Sequence, residues 1–236
     1  MTAGWTPRRF WTEARAEPAE GGFTVLLDGR PVRTPARAAL VVPSRAMADA
    51  IAAEWQAQGA TVDPATMPMA RYAHSAIDTV APQFDAVAAR VAAYGGSDLL
   101  CYRAGAPAAL AARQAAAWDP PLAWARQSMG AALVVTTGVM PVRQPDDALG
   151  RLEAQVRAMA PFALAALHDL VAITGSLVLG LAVTRGRLTA ESAWAISRID
   201  ETWQAELWGA DEEAAQAEAV RHAGLLDAAR FLALCR

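Results

Sequence analysis

Two cysteines and three histidines are the reactive minority of this 236-residue chain. Cys101 with His74 is the one thiol–imidazole pairing that would make a nucleophile and its base. No spacing brings the two together. Cys101 sits in the apolar run Leu99-Leu100-Cys101-Tyr102, where a structural thiol is expected. His168 and Asp169 are adjacent, and neighbours on a helix diverge by about 100°, so no dyad is expected from them; His168 reads as a hydrogen-bonded core or boundary residue. Neither these histidines nor His222 stands in HExxH, and Cys101 and Cys235 form no CxxC, so no zinc site is expected. Gly95-Gly96-Ser97-Asp98 lacks GxGxxG and GxxxxGK[ST], and a helix-to-helix turn accounts for it. Asp98 and Asp119 read as helix-start residues. The chain has no lysine and no asparagine, all 21 basic residues being arginine. A Walker lysine and a Schiff-base lysine are therefore excluded. No metal, no cofactor and no catalytic residue are expected.

What remains is tryptophan and charge. Eight tryptophans are many for this length, and an aromatic surplus without an assembled catalytic group points to binding. The richest stretch is Ala193–Gly209, AWAISRIDETWQAELWG, which reads as one amphipathic helix closed by Gly209. Ile196, Ile199, Trp203 and Leu207 fall on one stripe that would seat it on a core. Trp194, Arg198, Glu201 and Trp208 fall on the other side, near i, i+4, i+7 and i+14. Either a second protein layer covers that side, with Arg198 and Glu201 as a local ion pair, or it is a docking surface. Arg113 and Gln114 sit on an exposed-looking segment, solvated or touching a partner.

The elements that must position these residues follow from pattern and punctuation. Hydrophobic residues make up 54% of the chain, the net charge is −3 and the pI about 5.6, so neither disorder nor a basic nucleic-acid surface is indicated. Phe23–Leu27 reads as a strand, Asp28-Gly29 as its turn, Pro31–Thr34 as the start of an edge return strand, and Leu40–Val42 as a further short one. Ser44 caps a helix to about Gln58 with Met47, Ile51 and Trp55 on one face. Trp55 is expected as packing, and Trp55→Ala to cost roughly 3–5 kcal/mol as for a buried aromatic. Ala70–Tyr94 reads as helix interrupted at Pro82. Ala108–Trp118 and Leu122–Met129 read as two helices restarted at Asp119-Pro120-Pro121, Leu133–Val135 as a strand or a buried extended piece, and Asp146 as a cap. The apolar run Leu170–Thr184 is shorter than the ~20 residues of a membrane span and reads as a buried central helix. Arg185-Gly186-Arg187 is the turn after it, Thr189 caps the tryptophan-rich helix, and Ala210–Cys235 is the last. The fold class is α+β: a small N-terminal β-sheet and helix domain, residues 1–92, then a larger all-helical domain, residues 93–236. MTAGWTPRRFW lacks the apolar run of a secretion signal, so a cytoplasmic setting without membrane insertion is expected.

Several stretches jointly resemble a known family. FTVLLDGRPVRTP (23–35), AEWQAQ (53–58), SDLLCYR (97–103), RQAAAWDPPLAW (113–124) and IDETWQAELWG (199–209) are similar to the assembly chaperones of the F1 sector of ATP synthase, whose mitochondrial member is F1 complex assembly factor 2. The resemblance runs from about Arg9 to the C-terminus. It implies a two-domain chaperone that binds the free alpha subunit of F1-ATPase until beta arrives, without hydrolysing ATP, here in a bacterial cytoplasm; the protein itself is expected to be a monomer. It places the family's functional acidic residue at Glu201, and matches Trp55 to a tryptophan that the family needs. The rival expectations are an enzyme with a pocket between the domains and a scaffold that self-associates through its tryptophan face.

Overall fold

A hairpin with a two-residue turn starts the fold. In the computed structural model, which describes residues 8–209 and 211–236, β1 (Ala14–Ala19) pairs antiparallel with β2 (Gly22–Leu27), and β2 with the two-residue β3 (Arg30–Pro31). Asp28 and Gly29 both take positive φ, the backbone of a type I′ turn. The Asp28 carboxylate accepts from the backbone N–H groups of Glu13 and Thr12, which hold it below the usual carboxylate range. The expected return strand is shorter than Pro31–Thr34. Beyond it, Phe23 and Val42 exchange backbone hydrogen bonds across an isolated bridge. Gly22 lies so close to the Val42 carbonyl that a Cβ there would collide with it. β1 carries no strand-forming pattern; β2 and the Gln56 side chain, whose Oε1 accepts from the Ala14 N–H at 2.7 Å, fix it in place.

One face of this sheet is closed by α1 (Arg45–Gln56), capped by Ser44 as expected. Met47 and Ile51 are fully buried with Val25, Leu40 and Val42. Trp55 is only half-buried, with its ring edge-on to Trp11 at 5.1 Å. Glu54 accepts from the N–H groups of Met69 and Ala70, both at 2.8 Å. It thus caps α2 (Pro68–Ser75), whose own N-cap Met67 provides no side-chain bond. A π-type turn, Ala76–Val80, follows, and α3 (Phe84–Ala92) begins after the interruption at Pro82. These elements up to residue 84 form one compact unit together with residues 161–165 and 230–236. A single cut at 92/93 does not separate those pieces. Within the unit Tyr72 and Phe162 both stack on Phe231.

The second unit, residues 85–160 and 166–229, is largely helical but holds one parallel pair, β4 (Tyr102–Arg103) with β5 (Thr136–Thr137). The segment expected over Leu133–Val135 as a strand or a buried extended piece is neither: the strand begins at Thr136, just past its end, and spans two residues, and Val134 and Val135 are exposed. α4 (Ala108–Met129) runs unbroken through Pro120 and Pro121, against the expected restart. Asp119 is therefore inside a helix, paired with Arg103 at 2.8 Å. After α5 (Asp146–Arg157), where Asp146 pairs with Arg143 and is not the cap, the apolar run forms two helices. α6 (Pro161–Thr174) ends at Gly175 with φ 71°, and Ser176 caps α7 (Leu177–Thr184). The chain continues through α8 (Ala190–Ser197), α9 (Ile199–Trp208) and α10 (Glu212–Leu234). The expected start of the last helix at Ala210, like the N-terminal residues 1–7, lies outside the described residues.

Candidate functional site

The tryptophan-rich stretch is two helices. Residues 190–197 and 199–208 meet at Arg198, whose backbone (φ −108°, ψ 20°) leaves the helical region. Two side chains account for the break. The Ser197 hydroxyl donates back to the Trp194 carbonyl at 2.9 Å. The indole of Trp118, fully buried on α4, donates to the Ile196 carbonyl at 2.8 Å, taking the acceptor that a continuous helix would give to residue 200. The expected seating stripe fades accordingly. Ile199 is buried, Ile196 and Trp203 are half-buried, and Leu207 is 56% exposed.

Arg198 sits in this elbow with its side chain only 11% exposed. Its guanidinium donates to Glu201 Oε1 at 2.9 Å, to the Ile173 carbonyl at 3.1 Å and, from Nε, to Ser197 Oγ at 3.3 Å. It also lies over the Trp194 ring at 5.0 Å, a cation–π contact. Trp194 packs on the His222 imidazole at 5.0 Å, and His222 Nε2 lies 2.8 Å from Glu191 Oε2. Three of the four expected residues, Trp194, Arg198 and Glu201, are thus brought into one chain of contacts. Trp208 is not part of it. It stands 78% exposed at the end of α9 and meets Glu201 along a different feature. That feature is a groove of about 490 Å³ between α9 and α10, lined by Glu201, Ala205, Trp208, Ala214, Glu218 and Arg221 among others.

Two residues read as solvated or partner-facing are structural. Gln114 is buried: its Oε1 accepts from the Ala104 N–H and its Nε2 donates to Asp200, both at 2.7 Å. Arg113 pairs with Glu206 at 2.7 Å, and its hydrogen bond pulls the Glu206 carboxyl below the usual range. Together with Trp118 they fasten the elbow and α9 to α4. Sequence spacing missed Asp200 and Trp118 in this role; a polar residue buried among alanines, as in RQAAAW, is the signal that was available for Gln114.

The reactive residues are assembled differently from expectation in one case. His168 Nδ1 and Asp169 Oδ1 lie 2.8 Å apart, because both side chains are part-exposed and swing together at the helix surface, so adjacency did not separate them. Cys101 is buried and its thiol is pushed up to about 12 by burial and by Asp98, so it is a neutral thiol at neutral pH. His74 is held below the ordinary imidazole range by burial, and its Nε2 has no hydrogen-bond partner among the described residues. Asp98 is fully buried and, as expected, caps: its two oxygens accept from the N–H groups of Leu100 at 3.1 Å and Val178 at 3.0 Å. Burial raises its carboxyl to about 6 against those donors. Gly95 is close-packed against Leu152, Leu149 and Leu177, which explains a glycine there without a phosphate. Among the described residues no group of three or more His, Cys, Asp or Glu side chains is placed to hold a metal ion, and no helix is long and apolar enough to cross a membrane.

Residues 8–126 match the family model described as ATP12 chaperone protein. The crystal structure of Atp12 from Paracoccus denitrificans is 54% identical, with a TM-score of 0.94, the match covering 97% of this chain and 98% of that one. A point mutant of P. denitrificans Atp12p matches at 53% identity, a TM-score of 0.94 and the same coverage. A candidate chaperone from Agrobacterium tumefaciens matches at 45% identity and a TM-score of 0.93, over 98% of this chain and 87% of that one.

Proposed function

Since the chain belongs to the ATP12 chaperone family, we propose that it serves assembly of the F1 sector of ATP synthase by holding the free alpha subunit until beta replaces it. The surface that does so is the outer side of α9, where Trp208 and Leu207 stand beside Glu201. The observation that carries this reading is the exposure of Trp208, at 78%, next to a carboxylate held in place by a largely covered arginine. An unassembled subunit presents an apolar, partly polar face that aggregates if left bare. Covering Trp208 would bring at most about 4 kcal/mol of gross apolar burial. Association costs would consume that figure, so Trp208 can be only one part of the contact, and a moderate overall affinity would suit a chaperone which beta must displace. Glu201 would meet a cation on alpha or occupy the place of a carboxylate on beta. Arg198 and Trp194 hold that carboxylate and do not themselves reach far out. The setting we propose is a bacterial cytoplasm, with the chaperone a monomer.

The test is co-expression with an isolated alpha subunit. Wild-type protein is expected to raise the soluble fraction of alpha and to be pulled down with it. Trp208→Ala is expected to weaken both effects. Alpha chains that precipitate equally with and without the chaperone would end the proposal.

A further inference from the structure

The groove between α9 and α10 differs in charge from the rest of the molecule. Residues 199–220 carry seven carboxylates and no arginine, lysine or histidine, in a chain whose net charge is only −3. Asp200 and Glu206 are turned to Gln114 and Arg113, and Glu201 shares Arg198. The other four, Asp211, Glu212, Glu213 and Glu218, are grouped at the start of α10. Asp211 and Glu218 line the groove with Glu201, and Glu212 and Glu213 share a neighbouring concavity with Asp211. Arg221 is the cation on the groove wall. Glu218 Oε1 is shut off from solvent with no hydrogen-bond donor on it among the described residues, a desolvated acceptor beside the groove. The floor is small and apolar, with Ala205, Ala214, Ala215 and Ala217, and Trp208 forms an exposed wall. A volume of about 490 Å³ admits a few large side chains.

From this juxtaposition of an alanine floor, an exposed indole and an acidic rim we infer that the groove takes an amphipathic helix of the client protein, one whose apolar stripe is bordered by arginine or lysine. The alanines let anchor side chains of a helix approach closely, the helix-in-groove mode. The rim selects the sign of the flanking charge and speeds encounter. The inference rests on the chaperone reading and deepens it by naming what the client presents.

The probe is a fluorescently labelled synthetic peptide of about four helical turns, with a leucine stripe flanked by arginine. Its binding is followed by anisotropy. Two controls keep the stripe but replace arginine by glutamate, or keep the arginines and scramble the stripe. The arginine peptide is expected to bind, to weaken roughly tenfold or more between about 0.1 and 0.5 M salt, and to weaken similarly with Trp208→Ala and with the combined Glu212→Gln, Glu213→Gln, Glu218→Gln protein. Both controls are expected to bind far less. Equal binding of the glutamate or the scrambled peptide overturns the inference, as does an affinity that neither variant changes. Sedimentation of the protein alone is run beside it. A dimer dispersed by Trp208→Ala would give the groove to a second copy and also overturn the inference. Pull-down of isolated alpha separates the two levels: alpha retained without peptide binding sinks the cationic-helix inference alone, and loss of both sinks the chaperone reading with it.

Discussion

Replacing Glu201 should remove client binding while leaving the fold nearly untouched, and the geometry around Arg198 sets the size of both effects. The Arg198–Glu201 pair is 2.9 Å long, but the Glu201 side chain is 48% exposed, so Glu201→Gln is expected to cost about 0.2–1 kcal/mol. Arg198 does not follow it, because the Ile173 carbonyl, Ser197 Oγ and the Trp194 ring still hold the guanidinium. Glu201→Lys adds a like charge one turn from Arg198, worth a few tenths of a kcal/mol more. For a protein of this length about 1 kcal/mol moves Tm by roughly 2–4 °C, so both variants should melt within a few degrees of wild type. Arg198→Met is the contrasting perturbation. It removes a charged hydrogen bond to a carbonyl, about 1.5–3 kcal/mol, and a part-buried cation–π contact of about 0.5–2 kcal/mol. The elbow should loosen and Tm should fall by roughly 5–15 °C. The assay pairs a thermal melt of each variant with quantitative pull-down of isolated alpha. The expected pattern is loss of alpha with Glu201→Lys at near-native Tm, and loss of alpha together with stability for Arg198→Met. If Glu201→Gln melts as low as Arg198→Met, the carboxylate is a structural brace. If Glu201→Lys still retains alpha, it lies outside the docking surface.

Three other perturbations probe the scaffold. Asp98 is buried with its carboxyl raised from 3.8 to about 6, so the folded state holds its proton across a window in which the unfolded chain has lost it. The stabilisation is full below about pH 4 and is lost as pH rises through 6, roughly 3 kcal/mol in all; urea midpoints from pH 4 to 7.5 should show that slope in wild type and not in Asp98→Asn, and parallel slopes would refute the assignment. Trp118→Phe removes the bond to the Ile196 carbonyl and leaves a void in a fully buried site, an expected loss of about 2–4 kcal/mol in denaturant titration; an unchanged midpoint would mean that the elbow does not depend on that indole. Trp55→Ala should cost about 2–3 kcal/mol, less than the figure for a buried aromatic, because the ring is only half-buried against Trp11; a Tm equal to wild type would remove its packing role.

Features decided by a residue's own backbone or side chain were legible in the sequence. The Asp28-Gly29 turn, the Ser44 and Thr189 caps and the Gly186 turn all stand where local chemistry put them. Features decided by a distant partner were not. β1 is a strand because β2 pairs with it, although ARAEPA has little strand preference. α4 continues through Pro120 and Pro121, although the two prolines leave it without two backbone donors. The single amphipathic helix drawn through Ala193–Gly209 is broken by an indole that reaches it from α4, 78 residues earlier. Helical spacing therefore grouped Trp194 with Trp208, while the folded chain gives them separate neighbours.

The motifs that mark the family are mostly groups that hold another segment's backbone. Glu54 of AEWQAQ caps α2, Asp98 of SDLLCYR caps the start of α7, and Gln114 and Trp118 of RQAAAWDPPLAW bond to the Ala104 N–H and to the Ile196 carbonyl. Each replaces a missing backbone partner or satisfies a carbonyl freed by a break, so substituting it leaves a buried polar group unpaired. Such residues serve the scaffold whatever surface the protein uses. IDETWQAELWG is different in its second half. Ile199 and Asp200 anchor the helix, whereas Leu207 and Trp208 project from it with most of their surface uncovered. Among the described residues nothing in the packing of α9 calls for an indole at that end, and an exposed indole is a liability unless something covers it. Under the proposed function, the scaffold motifs around α4 would matter to binding through geometry alone, because they set the elbow at Arg198, and the elbow sets where Glu201 and Trp208 stand.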